Sequence, residues 1–170
     1  MRAIILAAAV LAASPVAAET GRSGVWTFSF EPAASGSSGM VTALAPSPSP
    51  SGDPNDPSYL VARCLGGRTE LLVGGAGGWG LPRKTIEVTT QIDGGPAETA
   101  QWGVSTNGKA AFLDQGVERL LARLPDDGKL RVAVRTASGE VNETIFATTG
   151  FAAIREKIAQ TCSGGREPHG

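Results

Sequence analysis

"SYLVARCLGGRTELLV", residues 58–73, holds two runs of apolar and β-branched side chains around Leu65-Gly66-Gly67-Arg68. Such runs joined by a glycine pair predict a β-hairpin, because glycine adopts the positive φ that a tight turn requires. The period of two then places Leu60, Ala62 and Cys64 on one face of the first strand. The chain has a single further cysteine, Cys162, close to the other end. How a strand cysteine relates to one so distant decides how the two ends of the fold meet.

The same alternation recurs along the chain. Trp26, Phe28 and Phe30 share a face of Val25–Glu31, and residues 39–45 form a weaker strand. In residues 84–93, Ile86, Val88 and Ile92 oppose Glu87, Thr89, Gln91 and Asp93; Gly94-Gly95-Pro96 then turns the chain. In residues 98–105, Ala100, Trp102 and Val104 share a face, and Asn107-Gly108 turns the chain into a short strand at "KAAFL". Leu130, Val132 and Val134 point inward from residues 129–136, with Arg131 and Arg135 outward, and residues 140–149 return as a strand. The Pro/Ser-rich stretch 46–57 is excluded from a strand interior, since proline removes ladder donors, and is expected to be a surface loop.

Two segments change period. Val117, Leu120, Leu121 and Leu124 fall at helical spacing, with Asp114 as the expected N-cap and Pro125 as the stop. Phe151, Ile154 and Ile158 form a second helical stripe, which Cys162 continues four residues on. With no linker and no repeat, these elements predict one α+β domain over 19–162. It is a mainly antiparallel sheet, sandwich or partial barrel, with two helices. Residues 163–170, "SGGREPHG", have too little apolar content to pack and are expected to be a disordered tail.

The first eighteen residues combine Arg2, an uncharged apolar run from Ile4 to Ala13, a Ser-Pro break and small residues ending at Ala18. This is the layout of a signal peptide cleaved after Ala18, and the run is too short to span a bilayer. Export implies an oxidising compartment, here the periplasm, where two cysteines pair. One intramolecular bridge is available, Cys64–Cys162, and it would pin the last helix to the sheet. The formal net charge is −1, or near −2 without Arg2, which offers no electrostatic case for nucleic acid or for an anionic membrane surface. No membrane insertion is expected after cleavage.

Reaction centres are hard to assemble from these residues. The single histidine, His169, lies in the tail, which leaves no base for a Ser–His triad and no His-rich metal site. Bridged cysteines are not metal ligands, so no metal and no cofactor is expected. "GGAGGWG", residues 74–80, lacks the Gly-Lys-Ser/Thr ending of a phosphate-binding loop. Its Gly77, Gly78 and Trp79 are instead the candidate partner-binding residues, because a tryptophan at a loop tip can dominate a contact. Asp93 and Glu98 flank one turn and are the candidate carboxylate pair of a glycosidase, though each also fits an ordinary solvated turn position.

Several stretches together resemble the bacterial type VI secretion-associated VasI/TagO-like family. They are "LVARCLGGRTELLV", "VTTQIDGGPAETAQWGVSTNGKAAF", "VERLLARL", "LRVAVRTASGEVNETIFATTG" and "FAAIREKIAQTC". The most specific residues are Arg63-Cys64 with Thr69, Ile92-Asp93 before Trp102 and Ser105, and Gly150-Phe151 before Cys162. The resemblance covers about residues 26–162. It implies a periplasmic accessory protein, not an enzyme, whose partner is an envelope or secretion-apparatus protein. Two alternatives are a lysozyme-inhibitor-like periplasmic protein and an envelope hydrolase.

Overall fold

The structure is a computed structural model that describes residues 17–33, 38–47, 57–75, 81, 84–136 and 138–163. Ten strands and two helices lie within them. The first group is β1 (Glu19–Ser23), β2 (Trp26–Glu31), β3 (Met40–Ser47), β4 (Ser58–Leu65) and β5 (Arg68–Gly75). Next come β6 (Thr85–Ile92), β7 (Ala97–Val104), β8 (Ala110–Phe112) and α1 (Val117–Arg123). The chain ends through β9 (Lys129–Arg135), β10 (Val141–Ala147) and α2 (Phe151–Ser163).

All ladders are antiparallel, in the order β1-β2-β3-β4-β5-β8-β7-β6-β9-β10. This is the expected α+β fold, mostly antiparallel sheet with two helices. The hairpin at residues 58–73 forms as predicted. Leu65 pairs with Arg68, and Gly66 and Gly67 both take positive φ, 57° and 73°. The sheet curls so that β10 comes back to β3 and β4. Side chains hold that seam: the Ser47 hydroxyl donates to the Ile145 carbonyl, and the Thr144 hydroxyl donates to Ser58 Oγ at 3.4 Å.

The core fills the inside of the curl. Trp26, Leu60, Leu71, Val88, Trp102, Leu130, Val134 and Phe146 are all buried there. The stripe Phe151, Ile154, Ile158 and Cys162 of α2 is buried against the inner face of β3–β5. Cys64 and Cys162 are bridged, with Cα atoms 5.6 Å apart. The last helix is therefore linked covalently to the sheet, as their shared apolar faces predicted. Arg155 adds a polar tie by donating to the carbonyls of Leu121 and Leu124 at the end of α1, at 3.3 and 3.0 Å.

Two local expectations are corrected, and one strand was not foreseen. The strand β1 has no apolar alternation to announce it; it exists because its backbone pairs along β2 from Glu19↔Phe30 to Ser23↔Trp26. Pro46 and Ser47 belong to β3, opposite Tyr59 and Ser58, and not to a loop. The β2 ladder ends at Leu44, so β3 is paired on one side only at Pro46, where a missing donor is tolerated. Asp114 does not cap α1. The helix starts later, and its N-cap is Gly116 at φ 75°, with no side-chain cap bond. The remainder of the Pro/Ser-rich stretch, residues 48–56, and the tail, 164–170, lie outside the described residues.

Candidate functional site

Gly77, Gly78 and Trp79 also lie outside the described residues, so the candidate site is sought among the others. The carboxylate pair does not converge. Thr90 pairs with Glu98, which puts Glu98 on the face of Ile86, Val88 and Trp102, whereas Asp93 borders a cleft with Gln91 and Arg131 of the other face. Glu98 forms an ion pair with Arg123 of α1. Asp93 sits in the β6–β7 turn at φ 47°, the one non-glycine positive φ among the described residues. Its carboxylate accepts the Lys129 N–H at 2.7 Å, and its own N–H donates to the Lys129 carbonyl at 3.0 Å. Asp93 thus clamps the start of β9 to the hairpin.

That clamp borders an open cleft of about 640 Å³ on the outer face, between the β6–β7 turn, Asp127-Gly128 and β10. Its acidic groups and Arg131 are engaged. Asp127 accepts the Thr149 hydroxyl at 2.9 Å, and Arg131 pairs with Glu143 across β9–β10. The hydrogen bond from Arg131 is the main reason the Glu143 carboxyl lies below its ordinary value, and the same bond raises the Arg131 guanidinium. Glu87 pairs with Arg135 one row away, at 3.3 Å. This is an exposed sheet face, as the alternation of Arg131 and Arg135 with apolar residues predicted, and it carries the exposed side chains of Val141 and Ile145 beside its paired charges.

The outer face of the other half of the sheet differs in kind. The inner residues of β3, β4 and β5 are Val41, Ala43, Ala45, Leu60, Ala62, Cys64, Leu71 and Val73. The outward positions are mixed: Thr42, Arg63, Arg68 and Glu70 are polar, and an apolar row lies beside them. Leu44 stands opposite Val61, Val61 opposite Leu72, and Leu72 opposite Phe112. These four form a row across four strands, all half-buried, and Tyr59 adjoins them one step along β4 between Pro46 and Gly74. None of the four belongs to the core or packs against it. Both helices lie on the other side, where Cys64 points, so among the described residues no helix or strand covers the row.

A polar group bounds the row. Glu70 receives Arg63 through two nitrogens, at 2.6 and 2.7 Å, and the Arg63 guanidinium lies 5.9 Å from the centre of the Phe112 ring. Arg68 reaches the other oxygen of the same carboxylate only at 3.6 Å, with its side chain 81% exposed. Beside them a cleft of about 280 Å³ is lined by Arg68, Thr69, Glu70, Phe112, Leu113, Asp114 and Val117. The Asp114 carboxylate lies over Gly103, where a Cβ would come within 2.9 Å of it.

Sequence reasoning read the hairpin but missed this row. The signal was present: "YLVA", "LLV" and "ALA" are apolar at successive positions, where a strand solvated on one face alternates. No family profile and no curated protein matches the chain. Among solved structures, invasion associated protein B from Bartonella henselae has a similar fold. Its TM-score is 0.54 at 14% identity, over 87% of this chain and 99% of that one.

Proposed function

We propose that this chain is an exported periplasmic accessory protein that works by binding another protein and performs no catalysis. The partner class is the one implied by resemblance to the type VI secretion-associated VasI/TagO-like family: an envelope or secretion-apparatus protein. One observation carries the proposal. The outer face of β3, β4, β5 and β8 carries one apolar row, Leu44, Val61, Leu72 and Phe112, which no described helix or strand covers. Apolar area grouped in one patch marks an interaction site more often than scattered exposed residues do. The engagement of Asp93 with the start of β9 and of Glu98 with α1 weighs in the same direction, since paired-carboxylate hydrolysis needs the two on either side of one bond.

The test is a photo-reactive residue placed at Val61 in the full chain, irradiated in the periplasm of the source bacterium. An adduct with an envelope or secretion protein, absent when the same group replaces Gln101 on the other outer face, is the expected result. An adduct with a lysozyme moves the function to the inhibitor class. Turnover of a glycan by pure protein, lost in Asp93→Asn or Glu98→Gln with the fold intact, overturns the proposal.

A further inference from the structure

The cleft between the start of β5 and the end of β8 holds two charges of opposite sign, one loosely held and one without a partner. Arg68 touches one oxygen of Glu70 at a single point, 3.6 Å away, while Arg63 engages the other oxygen through two nitrogens. Arg63 and Glu70 thus neutralise each other, and the Arg68 guanidinium is left over. Asp114 makes no hydrogen bond and no ion pair with any described residue. Its carboxylate lies over Gly103, which pairs with Phe112 across β7–β8. Arg68 and Asp114 line the same cleft of about 280 Å³ without pairing with each other. Phe112, Leu113 and Val117 give that cleft an apolar lining. Arg119 of α1 lies against Gly116 and does not line it.

We infer that this cleft binds a small zwitterion of the α-amino acid type, whose carboxylate meets Arg68 and whose ammonium meets Asp114. A guanidinium takes a carboxylate through two parallel hydrogen bonds, and an ionised carboxylate accepts from an ammonium through both oxygens. The balance of charge selects the ligand. A simple anion meets one partner and one like charge, and so does a simple cation; a molecule carrying both signs meets two partners. The apolar lining suits the carbon skeleton beside those charges. The volume lies just under the roughly 300–1,000 Å³ of pockets for drug-sized ligands, so the ligand is small or is the end of a larger molecule. Two sources carry this chemistry: a free amino acid, and a cell-wall peptide whose diamino acid ends in an ammonium and a carboxylate on one carbon. The site does not depend on the protein partner proposed above.

The experiment titrates the full chain by NMR, reading the backbone amides of Thr69 and Leu113. The probes are alanine, its N-acetyl and amide forms, which each lack one charge, and a soluble muropeptide whose one free ammonium belongs to its diamino acid. Alanine or the muropeptide should give saturable shifts, and the two blocked forms should bind about tenfold more weakly or worse. Arg68→Gln and Asp114→Asn should each lower the affinity about tenfold. Arg131→Gln, on the other outer face, should leave it unchanged. Circular dichroism checks that each variant is folded. Binding of alanine supports the site with a free amino acid as ligand; binding of the muropeptide alone supports it with the cell wall as the source. No saturable shift with either probe, equal binding of the blocked forms, or an affinity that ignores Arg68→Gln or Asp114→Asn overturns the inference and leaves the protein-binding function standing.

Discussion

Single residues carry the tightest constraints where turns touch. Gly24 and Gly150 lie back to back, with φ of 55° and 87°, and bring the β1–β2 turn against the start of α2. A Cβ on Gly150 would come 2.4 Å from the Ser23 carbonyl group. The Ser23 hydroxyl donates to the Gly150 carbonyl at 2.7 Å, and the Val25 N–H donates to the Thr149 carbonyl at 3.0 Å. Gly150→Ala should therefore destabilise by about 1–3 kcal/mol from backbone strain alone, and more once Ser23 is displaced; denaturant melts measure it. Glu143 supplies a pH test. Its folded pKa is lowered by Arg131, so the stability it contributes is present above the ordinary glutamate range and is lost as pH falls through the depressed folded value. The pair is exposed, so the effect is small. Acid melts of Glu143→Gln should show a slightly flatter loss of stability below about pH 4 than the parent. An identical acid limb in both proteins would count against the pair.

At the scale of elements, the disulfide and the α2 stripe act together. Cys64–Cys162 closes a loop with a sequence separation of 98. Removing such a bridge typically costs about 2–5 kcal/mol. Cys162→Ser should give a loss in that range and raise amide exchange first in α2, from Phe151 onward, while the β6–β7 hairpin stays protected. Uniform exchange across the whole chain would mean that α2 is no separate unit. Strand parity gives a second prediction, because Leu71 and Leu72 are neighbours on opposite faces of β5. Leu71→Ala should cost about 2–5 kcal/mol as a core truncation. Leu72→Ser should cost about 1 kcal/mol or less, since Leu72 lies outside the core. Equal losses would place Leu72 under a covering layer and remove the free face.

For the whole molecule, local chemistry determined a great deal by itself. Gly66-Gly67 between two apolar runs specified the hairpin, and the spacing of Phe151, Ile154, Ile158 and Cys162 specified the α2 stripe. Period and turn residues act over a few positions, so they are legible without a fold. Cys64 and Cys162 were legible as a pair because each sits on the apolar face of its own element. What only the tertiary structure decided was adjacency. The strand order that sets β8 beside β5, and β6 between β7 and β9, depends on which free edges meet after collapse. β1 is a strand because β2 offers it a ladder, and Pro46 stays in β3 because β2 stops short of it. Asp93 and Glu98 are five residues apart in the chain, yet Asp93 binds the start of β9 and Glu98 pairs with Arg123 of α1. The outer row was unreadable for the same reason. Leu44, Val61, Leu72 and Phe112 come from four separate strands, and each alone is an unremarkable strand residue. Only the register across the sheet lines them up.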